Sequence, residues 1–265
     1  MIADALNQLR AALPSGVQLV AVSKFHPVER LMEAYNAGQR IFGENRPQEL
    51  AAKVPQMPAD VQWHFIGHLQ TNKLKMVLPY ASLVQSVDSM HLLEAINAWG
   101  AANNKVIDIL LELHLGAEET KQGFTEQEIL AISGGMASET LRGYAPPSLP
   151  QTVAPTEKQA FPPAQQPAGP SPLSPGVAKV SEATPPPLAN IRVRGLMGMA
   201  TNTEDERIIE SDFARIETLF NKIKAFGLPY FDTLSIGMSG DWPIAVKHGA
   251  TMVRIGTDIF GPREY

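Results

Sequence analysis

The chain contains no cysteine, which excludes a disulfide framework, a thiolate zinc site and a cysteine nucleophile together. Charged residues are sparse, 18% of 265, and their balance is −5. Bulk charge therefore gives no attraction for nucleic acid or an anionic membrane surface. No apolar run reaches bilayer-spanning length. The first residues carry Ile2, Ala5, Leu6, Leu9 and Leu13 at helical spacing with polar residues between them, unlike the unbroken core of a secretory signal. A cytoplasmic protein with no nucleic-acid or membrane partner is expected. What is present is 44% hydrophobic residues, enough for one substantial core.

The organising stretch is Val17-Gln18-Leu19-Val20-Ala21-Val22-Ser23-Lys24, an apolar, β-branched run of strand length that ends on a lysine. A helix signal follows at once, with Pro27 at the first position and Val28, Leu31, Met32 and Tyr35 on one face, closed by Gly38. Parallel strands of α/β folds present chemistry at their carboxyl ends, where desolvation turns a lysine amine into a nucleophile. A solvated lysine at a strand end is the plainer alternative.

The same alternation continues along the chain. Strands are predicted at Arg40 to Gly43, Val61 to Gly67, Ser82 to Val87, Lys105 to Leu113, Ile191 to Met199, Asp232 to Ile236 and Thr251 to Ile255. Helical patterns separate most of them. Thr125 and Glu128 form a capping box, but Gly134-Gly135 is expected to interrupt the helix it opens. Thr203 and Glu206 form a second box before the long amphipathic run of Ile209, Phe213, Ile216, Phe220 and Ile223. Eight strands with short connections count to a (β/α)8 TIM barrel, with an open doubly wound sheet as the alternative. More than half of the 22 prolines fall between Pro146 and Pro187, mixed with small polar residues that cannot offset chain entropy by burial. The expectation is one barrel domain, residues 1 to 265, interrupted at 140 to 189 by a Pro-rich flexible insertion between strands five and six.

A barrel gathers the strand exits on one rim: Lys24, Asn45, His68, Ser86, Asp88, His114, Met197, Met199, Ser239, Arg254 and Thr257. Barrels often hold a phosphate in the loops after strands seven and eight. Here Gly237-Met238-Ser239-Gly240 and Gly256-Thr257 offer close backbone approach and hydroxyl donors. Two ordinary glycine turns are the alternative. A lysine nucleophile facing a phosphate site points to pyridoxal 5′-phosphate (PLP).

Six ordered segments carry a family resemblance. They are Val20 to Lys24, Phe42-Gly43-Glu44-Asn45, Trp63 to Lys73, Arg194 to Met197, Ser235 to Asp241, and Val253 to Gly261. In these the chain resembles the YggS/PROSC family of pyridoxal phosphate homeostasis proteins. The resemblance implies a fold-type III PLP barrel, like the N-terminal domain of alanine racemase, with Lys24 as the aldimine lysine. It implies that Ser239, the Gly240 amide, Gly256 and Thr257 hold the phosphate, that Arg254 faces the pyridine nitrogen, and that Asn45 and Met199 line the ring. A cation at that nitrogen makes the ring a poor electron sink. The resemblance also implies a role in PLP and amino-acid homeostasis without an established catalytic turnover, with PLP passing to apo-enzymes; a monomer is expected. His114 stands where the family commonly has asparagine, and Lys121 matches a family loop lysine.

Other readings are open at the level of sequence. A PLP-dependent amino-acid racemase would need a second base, His68 or His114, in place of the additional domain that alanine racemases carry. A serine hydrolase on Gly237-Met238-Ser239-Gly240-Asp241 misses the G-x-S-x-G spacing, because Asp241 replaces the last glycine. His64 and His68 are spaced for a helix-borne metal pair but lie in a predicted strand. Buried tryptophans and methionines in strands are expected core.

Overall fold

A computed structural model describes residues 1–115, 122–141 and 188–262. Lys121 and most of the predicted Pro-rich insertion lie outside the described residues.

The barrel is built from β1 (Gln18–Val22), β2 (Ile41–Glu44), β3 (Gln62–Phe65), β4 (Ala81–Val87), β5 (Ile107–Leu113), β6 (Ile191–Gly198), β7 (Thr233–Ser235) and β8 (Met252–Ile255). All neighbouring pairs are parallel, and β8 closes back onto β1 in the register Val20↔Arg254. This is the predicted (β/α)8 architecture rather than an open sheet. β5 and β6 pair from Ile107↔Ile191 to Leu113↔Gly198, with a register shift between Ile109 and Leu110.

Helices α1 (Ile2–Ala12), α2 (Val28–Asn36), α3 (Pro47–Lys53), α4 (Leu74–Val77), α5 (Met90–Ala102), α6 (Glu126–Leu141), α7 (Glu206–Lys224), α8 (Trp242–Lys247) and α9 (Thr257–Phe260) surround it. Their apolar stripes meet the outward side chains of the strands in one continuous core that includes Leu6, Leu31, Phe42, Trp63, Phe65, Leu93, Phe213 and Ile216. A separate cluster, Val20, Leu83, Leu110, Met197 and Met252, fills the inside of the barrel. Strand alternation divides these two sets, since successive side chains point to opposite faces.

Three local expectations need correction. The capping box at Thr125 forms, with Glu128 Oε2 accepting from the Thr125 amide and hydroxyl at 2.8 Å each. The helix then runs straight through Gly134-Gly135 instead of breaking. Neither glycine has a positive φ, and the buried Ile129 and Ser133 anchor the turns before them, which outweighs a propensity cost of about 1 kcal/mol per glycine. At α7 the cap is Asp205, whose carboxylate accepts from the Arg207 amide at 3.0 Å. Thr203 Oγ1 accepts from the Asp205 amide one turn earlier. Pro27 is the N-cap of α2, just outside the helix. The C-terminal side of α2 follows expectation, with Gly38 at φ +87.

Candidate functional site

The strand exits open onto a cavity of about 230 Å³ at the carboxyl rim. Lys24 reaches it from beyond β1, Asn45 from beyond β2 and Met199 from beyond β6. Ser239 and Gly240 enter after β7; Arg254 comes from β8 itself, with Gly256 and Thr257 just after it. The structure thus gathers all eight residues singled out from the sequence into one cavity. Five lining residues were not singled out: Val22, His26, Ile66, Met238 and Gly261. Val22 and Ile66 could have been found by parity, because they lie two residues past the inward-facing Val20 and His64. His26 has no such signal; its ring stacks on Phe260 with centroids 4.8 Å apart.

Backbone geometry explains why these positions converge. Asn45 and Gly67 pass so closely that a Cβ at Gly67 would overlap the Asn45 carbonyl oxygen; only glycine permits the two exits to lie together. Gly237 turns the chain out of β7 at φ +93, a region that residues with a Cβ rarely occupy. Beyond it, the Asp241 carboxylate accepts from the Met238 amide. Burial pushes the Asp241 carboxyl up, and that hydrogen bond opposes the shift. The amides of Ser239 and Gly240 donate to no backbone carbonyl among the described residues, and a Cβ at Gly240 would stand in open space.

Arg254 forms the floor. It is 4% exposed, and Nη1 donates to the Ser235 carbonyl and hydroxyl oxygens at 2.7 Å each, while Nη2 donates to the Gly198 carbonyl at 3.0 Å. Burial lowers its pKa to about 10, with Glu112 and Asp241 opposing, so the guanidinium stays charged near neutrality. The network continues inward, with Ser235 Oγ donating to Gln85 Oε1 at 2.7 Å and Gln85 Nε2 lying 2.9 Å from His64 Nδ1. Burial lowers His64 to about 3, which keeps the ring neutral and able to accept from the Gln85 amide.

Other rim residues expected from the sequence point elsewhere. His68 Nδ1 pairs with Asp88 at 3.0 Å outside the cavity. Ser86 Oγ donates to the Gly67 carbonyl, Met197 is buried in the barrel interior, and the His114 amide donates to the Phe124 carbonyl. None of these five lines the cavity.

One feature of the wall indicates a polar ligand. Asn45 Oδ1 is buried and has no hydrogen-bond partner among the described residues. Such an atom costs free energy unless something bonds to it. Because the two ends of an amide are interchangeable in position, Asn45 offers either a donor or an acceptor there.

The alanine racemase N-terminal domain family matches residues 1–142. The pyridoxal phosphate homeostasis protein of Vibrio alginolyticus is 32% identical over 257 residues, which cover 95% of this chain and 89% of that protein. The chain belongs to the pyridoxal phosphate homeostasis protein family. The resemblance read from six motifs is borne out over nearly the whole chain. Within the solved structures, PipY of Synechococcus elongatus PCC7942 matches with TM-scores of 0.76 without PLP and 0.74 with PLP bound, at 30% and 29% identity. Each match covers 98% of this family member and all of PipY. An alanine racemase of Clostridium difficile 630 shares the fold at a TM-score of 0.68 and 12% identity, and the present chain covers 57% of it.

Proposed function

We propose that this chain binds pyridoxal 5′-phosphate in the rim cavity and takes part in PLP and amino-acid homeostasis as a carrier rather than a catalyst. The observation that carries the reading is the convergence of eight residues from five strand exits on one cavity, with a buried, unpartnered Asn45 Oδ1 in its wall. The PLP-bound form of PipY and the names of the curated relatives support the choice of ligand.

The residues fit the group. PLP supplies an aldehyde open to attack by an amine, and a ring that withdraws electrons when its nitrogen is protonated. Lys24 is the amine in reach of the cavity and the proposed point of covalent attachment. Ser239, Gly240, Gly256 and Thr257 offer amides and hydroxyls for the phosphate, and Asn45 and Met199 would border the ring. Ser239 Oγ also hydrogen-bonds Asp258, and that contact lowers a carboxyl that burial pushes up more strongly.

Arg254 favours a carrier over a strong catalyst in this reading. It is fixed by three hydrogen bonds and remains protonated, so a pyridine nitrogen facing it would be held unprotonated. Such a protein holds the aldehyde and gives it up to apo-enzymes in the cytoplasm. A monomer is the proposed working unit.

The test is the near-visible absorbance spectrum after PLP is added and the excess removed, with Lys24→Ala beside the wild type. The expected result is a band above the free-PLP background in the wild type that is lost in the folded variant. A wild type without the band, or a variant with an equal one, overturns the proposal.

A further inference from the structure

Beside the cavity lies a set of buried charges that none of the proposed ligand contacts uses. Lys53, on α3, is 7% exposed. Its Nζ donates to three acceptors: the Ser23 carbonyl at 2.9 Å, Glu44 Oε1 at 2.7 Å and Glu49 Oε2 at 3.2 Å. Ser23 Oγ donates to the same Glu44 oxygen at 2.6 Å. Glu49 Oε2 accepts from the Phe25 amide at 2.9 Å. One ammonium therefore ties together both sequence neighbours of Lys24, Ser23 and Phe25, and the residue that precedes Asn45.

Phe25 makes this arrangement more than packing. Its φ is +67, a left-handed conformation that a residue with a Cβ abandons unless its surroundings hold it. The hydrogen bond to Glu49 is a direct restraint on that conformation. Arg46 lies over the Phe25 ring at 4.4 Å and pairs with Glu49 at 3.6 Å, which adds a second, exposed tie. The electrostatics agree with the geometry. Burial pushes the Glu44 carboxyl up against the pull of Lys53 and Ser23. For Glu49 burial also pushes upward, but the Phe25 amide and Lys53 together hold the carboxyl below its ordinary value.

We propose that Lys53 and Glu49 are positioning residues that lock the backbone on both sides of Lys24 and so hold its amine in the cavity. The proposal rests on the preceding reading only for the identity of the ligand.

Glu49 is the residue to change, because its side chain is 22% exposed and its loss leaves the barrel core untouched. Glu49→Ala removes the acceptor for the Phe25 amide, whereas Glu49→Gln keeps an acceptor without the charge. Three readouts are taken: hydrogen exchange of residues 22–27 without ligand, PLP affinity by absorbance, and the rate of reductive methylation of Lys24 by formaldehyde and cyanoborohydride. The expected result for Glu49→Ala is exchange at least about tenfold faster in that segment, PLP affinity at least about tenfold weaker, and an altered methylation rate at Lys24 alone, with Glu49→Gln lying closer to the wild type. Wild-type exchange in Glu49→Ala overturns the proposal. So does faster exchange with unchanged PLP affinity and unchanged methylation. A wild type that takes no PLP would sink the functional reading instead, and the methylation rate then decides the lock, an unchanged rate overturning it and a changed one supporting it.

Discussion

The two sides of the cavity are built by opposite means. At the exits of β1 and β2, side chains do the holding: a buried ammonium and two carboxylates fix the strained turn at Phe25 and the residues next to Lys24 and Asn45. At the exits of β7 and β8 the backbone does most of it, through the turn at Gly237 and exposed glycine at Gly240, and one carboxylate, Asp241, holds the Met238 amide between them. The difference teaches what each side is suited to. A nucleophile must keep one direction, so its neighbours are restrained by charge. An anion is best met by free amides with no side chain in the way, so that side is kept small.

The largest expected effect breaks the first side. Lys53→Met leaves Glu44, wholly buried, without its cation. Removing one partner of a buried ion pair costs roughly 3–5 kcal/mol, because the remaining carboxylate must stay charged in a poor solvent or take up a proton. The expected outcome is a strongly lowered urea midpoint, with part of the loss recovered at acid pH as Glu44 protonates. Equal stability at pH 7 would mean that the ionic lock contributes nothing to folding.

A second change asks whether charge also matters beneath the other side. The Glu112 carboxyl is pushed up to about 7, first by burial and then by the Asp88 charge, with Arg254 opposing. Between its unfolded value near 4.5 and about 7, the folded chain holds a proton that the unfolded chain has released. Stability from this group therefore falls as pH rises through that window. The full difference corresponds to roughly 3 kcal/mol above pH 8. Glu112→Gln is expected to flatten the slope between pH 5 and 8 and to be the more stable protein at pH 8, while matching the wild type near pH 4.5. Parallel stability curves for the two proteins would show that Arg254 already compensates Glu112 in full.

The same comparison marks what the sequence could reveal. Strand exits are legible because an apolar run that stops at a polar residue has a physical meaning, so Lys24, Asn45 and Arg254 stand out once eight strands are counted. The backbone side is legible too, since Gly237, Gly240 and Gly256 follow strands seven and eight directly. The side-chain lock is not. Lys53 is not among the residues singled out from the sequence, and its partner Ser23 is thirty residues away, so only the fold brings them together. Rim membership is over-read for Ser86, whose hydroxyl turns to the Gly67 carbonyl, and for Met197, because strand position alone does not say how deep in the barrel an inward side chain sits. Met199, two residues past Met197, reaches the cavity while Met197 packs inside the barrel. Gly134-Gly135 misled for a related reason: propensity is local, and the anchoring at Ile129 and Ser133 is not.

The smallest effect on folding gives the sharpest test of the comparison. Gly240→Ala adds a Cβ that meets nothing within 4 Å, at a residue without a positive φ. Its stability is expected to stay within about 0.5 kcal/mol of the wild type, or to rise slightly through the stiffer unfolded chain. The methyl nevertheless stands in the cavity wall beside an amide proposed for the phosphate, and PLP affinity is expected to fall about tenfold, roughly 1.4 kcal/mol. Inorganic phosphate, added as a competitor, should then protect less in the variant than in the wild type. A variant that binds PLP and responds to phosphate like the wild type would move the anion away from β7 and leave that side as a turn whose only task is to close the barrel.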